Sequence, residues 1–240
     1  MASWDVIVIG LGGVGSSAAY HLAKAGHRVL GIDQYPPAHD RGSSHGRTRI
    51  IRQAYFEHPA YVPLLQRSYQ LWDELEQQAG EKLFYRTGLV ELGPLNGIVI
   101  PGVLRSAAEH NLEIEQLSVA ELSRCWPGIS GQEDWQVVIE RNAGFLGVEE
   151  CVRSHLQTAH ELGAGCLHGV KVERWEVDGS GVNVITSKST RDFSAFTRRR
   201  NFPFFARVIA KGNIQTDQGV IFWVSSNNSD WRVRCQQTLG

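Results

Sequence analysis

Residues 5–15 read D-V-I-V-I-G-L-G-G-V-G, and residues 28–33 read R-V-L-G-I-D. An apolar run over 6–9 ends in Gly10, Gly12 and Gly15. A helix is expected over 14–25, and a second apolar strand over 28–32 closes on Asp33. This is the order of a βαβ dinucleotide site, in which each glycine has its own task. The first makes the tight turn, the second lets backbone approach a pyrophosphate, and the third lets the helix pack closely on the strand. The pyrophosphate rests on the helix N-terminus, where unpaired N–H groups and the dipole favour negative charge. A glycine fingerprint alone is common in ordinary turns. Here the strand before it, the helix after it and the acid beyond the second strand set it apart. An acid at position 33 favours an unphosphorylated ribose, hence FAD or NAD over NADP.

The chain has 240 residues, 42% hydrophobic and 20% charged, an ordinary balance for a soluble globular protein with a sizeable core. No apolar run approaches the roughly 20 residues that span a bilayer. No basic segment with an apolar stretch and cleavage site precedes the first strand. Cys125, Cys151, Cys166 and Cys235 lack C-x-x-C spacing and read as reduced thiols of a cytoplasmic protein, without a disulfide frame or metal site. The net charge of -1 hides an asymmetry. Residues 1–187 hold 15 Lys+Arg against 22 Asp+Glu, and residues 188–240 hold 9 against 3. The chain changes character near residue 188.

After Asp33 a polar, turn-rich loop is expected over 34–49. Tyr61, Leu64, Leu65, Leu71, Trp72 and Leu75 then recur at helical spacing up to Gly80. A strand is expected over 87–93 and a helix over 99–111, with Pro101 in its first turn. Ser118 and Glu121 have the spacing of a capping box for a helix to Cys125. A further amphipathic helix is expected over 148–162, closed by Gly163. Residues 170–177 and 182–185 alternate around Asp178-Gly179-Ser180-Gly181 and read as a hairpin.

Residues 42–55, G-S-S-H-G-R-T-R-I-I-R-Q-A-Y, gather three arginines, a histidine and a tyrosine. The segment reads equally as a solvated basic loop leading into a strand or helix. Its position tips the balance, because loops at the carboxyl ends of such strands face the ligand crevice. On a helix Arg49 and Arg52, three apart, would share one side. A guanidinium there could hold a carboxylate in a bidentate pair.

These stretches, with Y-V-P-L-x-x-R-S-x-x-L-W-x-x-L-E, T-G-L-V-x-L-G, R-C-W-P-G-I and N-A-G-F-L, resemble the monomeric sarcosine oxidase and N-methyl-amino-acid oxidase family. That family lies among the D-amino-acid-oxidase-like flavoproteins. The resemblance runs from about residue 4 to about 185, and residues 42–55 carry it most specifically. It implies FAD, with Gly10, Gly12, Gly13, Gly15 and Asp33 on the ADP moiety. It places Ser43, Ser44 and His45 against the isoalloxazine and Arg49 beside the ring. Arg52 matches the arginine that takes the substrate carboxylate, with Tyr55 near the same cavity; His45, Arg49, Arg52 and Tyr55 are thus the catalytic candidates. The implied reaction oxidises the C–N bond of an N-methyl amino acid to an imine and reduces O2 to H2O2. The implied partners are a small secondary amine and O2, with no nucleic acid or membrane, and the implied state is a monomer.

The expected architecture is α/β: a Rossmann-like FAD-binding domain (1–60 and 144–187) with an inserted, incomplete α+β substrate domain (61–143). Residues 188–240 carry no motif of the family and are expected to be poorly ordered. The chain is accordingly expected to be truncated and inactive. Cys235 stands in no motif that would make it a flavin link, and Arg198-Arg199-Arg200 reads as a solvated run, not a nucleic-acid patch. Two alternatives stay open, a non-catalytic FAD-binding fragment and an NAD-dependent dehydrogenase.

Overall fold

The computed structural model describes residues 3–178, 181–187 and 193–196. The chain divides into two compact units, one formed by residues up to Gly46 and from His155 onward, the other by Arg47–Ser154.

The first unit opens with β1 (Ser3–Trp4), β2 (Val6–Ile9), α1 (Gly13–Lys24) and β3 (Val29–Asp33). β2 and β3 pair in parallel, Val6 opposite Val29 through Ile9 opposite Ile32, with α1 as the crossover. Every residue of β3 is buried, as expected of a parallel strand covered on both faces. Helix α1 turns Gly15, Ser16, Ala19, Tyr20 and Ala23 inward. This row recurs every three or four residues and consists mostly of small side chains, so the helix lies close to the sheet. Gly26, at φ 84, lies just past its end, and its N–H donates to the Ala23 carbonyl at 2.9 Å.

The second unit runs through β4 (Thr48–Ile51), α2 (Val62–Ala79), β5 (Phe84–Tyr85), β6 (Leu89–Gly93), α3 (Val99–His110), β7 (Glu115–Ser118), α4 (Val119–Cys125), β8 (Gln136–Glu140), β9 (Gly144–Gly147) and α5 (Val148–Glu161), within which the boundary falls. It holds two three-stranded antiparallel sheets, ordered β4-β9-β5 and β6-β8-β7. The central strand β8 sends alternate residues to opposite faces. Val138 joins Ala54, Ile100 and Val103 beneath α3, while Val137 and Ile139 join Val119 and Leu122 beneath α4. That division follows from the period of two along a strand. The helix ends follow their local sequence. Ser118 and Glu121 close both bonds of the capping box on α4, and Gly80 and Asn111 end α2 and α3 in the left-handed conformation.

Residues 48–51 correct the helical option for the basic segment. They form β4 against β9, with Arg49 opposite Leu146, so Arg49 and Arg52 do not share a helix face. The run T-R-I-I is β-branched on three of its four residues, which suits a strand better than a helix.

The chain then returns to the first unit. β10 (Gly165–His168) adds to β3 in parallel, giving the order β10-β3-β2. β11 (Val172–Asp178) and β12 (Gly181–Thr186) form the antiparallel hairpin. β13 (Phe193–Phe196) lies between β12, antiparallel, and β1, parallel. A strand therefore forms within the stretch read as poorly ordered, because β1 and β12 both offer it a hydrogen-bonding edge. The run 198–200 and Cys235 lie outside the described residues. Ile7, Leu30, Ile32, Val182 and Val184 form the core between these layers. No helix among the described residues is long and apolar enough to cross a membrane.

Candidate functional site

In the first unit the glycines between β2 and α1 are fixed by three different constraints. Gly10 sits at φ 86, a conformation L side chains rarely adopt, and its N–H donates to the Ile32 carbonyl at 2.8 Å. A Cβ on Gly15 would lie 1.7 Å from the Gly10 carbonyl oxygen, so helix and turn touch through backbone. Gly12 differs from both. It precedes α1 in extended backbone, no side chain caps the helix there, and a Cβ would meet nothing within 4 Å. The approach to the helix N-terminus past Gly12 is therefore open, as an anion site needs.

The loop after β3 folds back onto this turn. The Gly13 N–H donates to Ser44 Oγ at 3.2 Å, and a Cβ on Gly13 would stand 2.6 Å from that oxygen. Ser44 is half-buried, while Ser43 and His45 are exposed. Asp33 is only 7% exposed. Its Oδ2 accepts the Leu11 N–H at 2.6 Å and its Oδ1 accepts the Tyr35 N–H at 2.8 Å. The carboxylate thus ties the glycine turn to the end of β3. An ionised carboxylate offers about four lone-pair sites, so acceptor capacity for ribose hydroxyls remains. His39 brings Nε2 to 3.8 Å from Asp33 Oδ1 and packs on Tyr35, with ring centroids 4.8 Å apart. The sequence reading left Tyr35 and His39 within the loop, and only its folding back brings them to the acid.

In the second unit the basic segment is braced from below. Gln53 and Ala54 N–H groups donate to the carboxylate of Glu140 at 2.8 and 2.9 Å, and Glu140 is 3% exposed. Ser106 Oγ donates to the Tyr55 carbonyl at 2.5 Å. A Cβ on Gly102 would fall 2.1 Å from the Phe56 carbonyl oxygen, so α3 presses directly on this backbone. Arg49, on β4, is exposed, and its Nη1 donates to the Thr48 carbonyl at 2.8 Å.

Arg52 is 17% exposed and already engaged. Its Nε lies 3.5 Å from Glu91 Oε1 and its Nη2 lies 3.7 Å from Glu57 Oε2. The guanidinium carbon stands 4.9 Å from the Tyr55 ring centroid and 5.2 Å from that of Phe56. The ion pairs are long, and the buried Nε makes no hydrogen bond among the described residues. Charge and ring faces hold this side chain, leaving donors short of an aligned acceptor. Burial pushes the Tyr55 phenol above its ordinary value, with Glu57 adding to the rise and Arg52 opposing it. Burial raises Glu91 to about 7, against the pull of Arg52 and with the repulsion of Glu140 and Glu57. Sequence reading missed Glu57, Glu91 and Glu140. For Glu91 and Glu140 the signal was an acid set among apolar strand residues, L-V-E-L-G and V-V-I-E.

Comparison with known proteins places the chain in a family. The family model described as FAD dependent oxidoreductase matches residues 5–208, beyond the point near 185 where individual motifs fade. Over 188 residues the chain is 44% identical to "Monomeric sarcosine oxidase" of Streptomyces avermitilis, covering 78% of this chain and 49% of that protein. It is 41% identical over 187 residues to "N-methyl-L-tryptophan oxidase" of Yersinia pestis, covering 78% of this chain and 50% of that one. The chain therefore spans about half the length of these relatives. Among solved structures the fold resembles NikD, an amino acid oxidase of nikkomycin biosynthesis, at a TM-score of 0.72 and 24% identity, over 81% of this chain and 50% of that one. It also resembles L-proline dehydrogenase from P. horikoshii at 0.68 and 22%, over 81% of this chain and 51% of that one. The family decides between the two unphosphorylated dinucleotides in favour of FAD, and the chain belongs to the FAD dependent oxidoreductases.

Proposed function

We propose that this chain carries the FAD site and the carboxylate-binding arginine of an amine oxidase that acts on N-methyl amino acids. The observation that carries this reading is Arg52, a guanidinium flanked by aromatic rings whose buried Nε has no hydrogen bond among the described residues. A carboxylate that meets such a fork in bidentate fashion supplies the missing acceptor. The N-methyl class comes from the relatives, which are named for sarcosine and N-methyl-L-tryptophan.

The residues present fit FAD, because Gly12 leaves open backbone before α1 and the nearby Asp33 carboxylate keeps acceptor capacity for ribose hydroxyls. In this reading Gly10, Gly12, Gly13 and Gly15 carry the pyrophosphate, Asp33 takes ribose hydroxyls, and Ser43, Ser44, His45 and Arg49 serve the ring end. When bound, FAD would supply the two-electron acceptor that C–N oxidation needs, with O2 as the final acceptor and H2O2 as its product. The chain's own residues bind and orient. Arg52 fixes the substrate by its carboxylate, Tyr55 borders the same place, and the positive charge of Arg49 stabilises developing negative charge. In this reading residues 1–60 and 144–187 serve the cofactor domain and residues 61–143 begin the substrate domain, a functional division distinct from the two compact units split at Gly46/Arg47 and Ser154/His155. A monomer acting in the cytoplasm on a small secondary amine completes the reading.

An absorption spectrum of the purified chain with FAD tests it. Flavin bands are expected, and anaerobic bleaching with sarcosine or N-methyl-L-tryptophan would show that this chain turns over and overturn the expectation that it is inactive. Bound flavin that neither amine bleaches would leave a non-catalytic FAD-binding protein, and failure to bind FAD would sink the whole reading.

A further inference from the structure

We propose that Glu91 is a positioning residue for Arg52: together with Glu57 it holds the guanidinium across Tyr55 and Phe56 until a substrate carboxylate takes the arginine from it. The inference rests on the reading of Arg52 as the carboxylate-binding group and goes beyond it, since it names what the substrate must displace. Glu91 is 13% exposed, against 43% for Glu57, so it is the partner held more firmly by its surroundings. It sits in β6 opposite Val138, whose side chain lies with Ala54, Ile100 and Val103 under α3, an apolar setting that disfavours a bare carboxylate. Its charged neighbours are Arg52, Glu57 and Glu140, the last on β8 of the same sheet. Arg52 satisfies neither glutamate with an aligned hydrogen bond. The pair is therefore close enough to fix the side chain and loose enough to be replaced by a better-aligned acceptor.

Competition makes binding depend on the ionisation of Glu91. When it is neutral, Arg52 is released to a ligand carboxylate; when it is charged, the ligand must displace it. Glu91 titrates at about 7. Affinity for a carboxylate at Arg52 then falls by about tenfold from well below pH 7 to pH 8, because the competent fraction falls by that factor.

The test uses the full chain with FAD and 15N-labelled arginine, following the Arg52 Nε resonance while acetate is titrated at pH 6 and pH 8. In the wild type the ligand-free resonance is expected to move with pH, with a midpoint near 7, and acetate is expected to bind more weakly at pH 8. In Glu91→Gln the resonance is expected to stay flat near pH 7, with affinity nearly equal at both pH values. Glu57→Gln is expected to keep the pH dependence. A resonance in Glu91→Gln that still titrates near 7 overturns the proposal. If acetate leaves the Arg52 resonance unmoved at every pH, the carboxylate role of Arg52 fails, while the ligand-free titration still decides whether Glu91 positions it. Should Glu91→Gln not fold, the wild type decides: a shared midpoint for Glu91 13Cδ and Arg52 15Nε supports the proposal, and separate midpoints overturn it.

Discussion

The glycine turn of the first unit and the arginine cluster of the second, both proposed to receive negative charge, are built by opposite means. The turn relies chiefly on backbone, with Asp33 and Ser44 each accepting one of its N–H groups. Gly10 supplies a left-handed conformation, Gly15 a carbonyl contact no side chain could share, and Gly12 an open approach to a helix N-terminus. The cluster uses ionisable side chains, with Arg52 between two glutamates and two rings and a third glutamate anchoring the backbone below. The first arrangement is fixed mainly by sterics. The second is adjustable, because its charges compete for one another.

Four substitutions would break or sharpen this contrast, with stability read by urea unfolding. Gly15→Ala should cost most, more than about 3 kcal/mol, because its new methyl group meets a backbone oxygen that cannot step aside. Near-native stability in that variant would refute a turn fixed by sterics. Glu140→Ala should cost about 2–4 kcal/mol, since it leaves the Gln53 and Ala54 N–H groups without their buried acceptor. It should also loosen the Arg52 resonance without touching FAD affinity, and coupled losses would blur the contrast.

Glu91→Gln should change the pH dependence of stability. The folded value is raised from 4.5 to about 7. The contribution is therefore fully present below the unfolded value and is lost as pH rises through about 7. That rise corresponds to an upper figure of about 3 kcal/mol between the protonation states. The variant should flatten this fall, and an unchanged pH profile would refute a buried titrating Glu91. Gly12→Ala should have the smallest effect on stability, within about 0.5 kcal/mol, because nothing stands within 4 Å of the added carbon. It should nonetheless weaken FAD binding by about tenfold or more, because the methyl group occupies the approach to the helix N-terminus. Unimpaired FAD binding there would mean that the cofactor does not use this cradle.

Local signals announced themselves where the physics is local. The Ser118–Glu121 capping box, the left-handed ends of α2 and α3 and the β2–α1–β3 unit all depend on residues near one another in the chain. The strands β7, β8 and β9 were not legible, because each is four or five residues long and lacks clean alternation. β8 is buried on both sides and so reads as an undivided apolar run. The basic segment was legible as chemistry but not as structure: T-R-I-I-R carries the charges, while its partner β9 lies about a hundred residues away.

The sequence by itself determined the dinucleotide turn, the acid at its rim and the family, because these are properties of short motifs whose backbone demands only glycine or a particular side chain can meet. The tertiary structure alone decided what Arg52 faces. Glu57 is five residues from it in sequence, but Glu91 and Glu140 reach the same segment only through the pairing of β6 with β8 and the packing of α3 above. Their burial, which lifts Glu91 toward neutral pH and commits Glu140 to two backbone N–H groups, is a property of the assembled core. Local sequence can place a charge, but desolvation depends on what the rest of the chain brings around it.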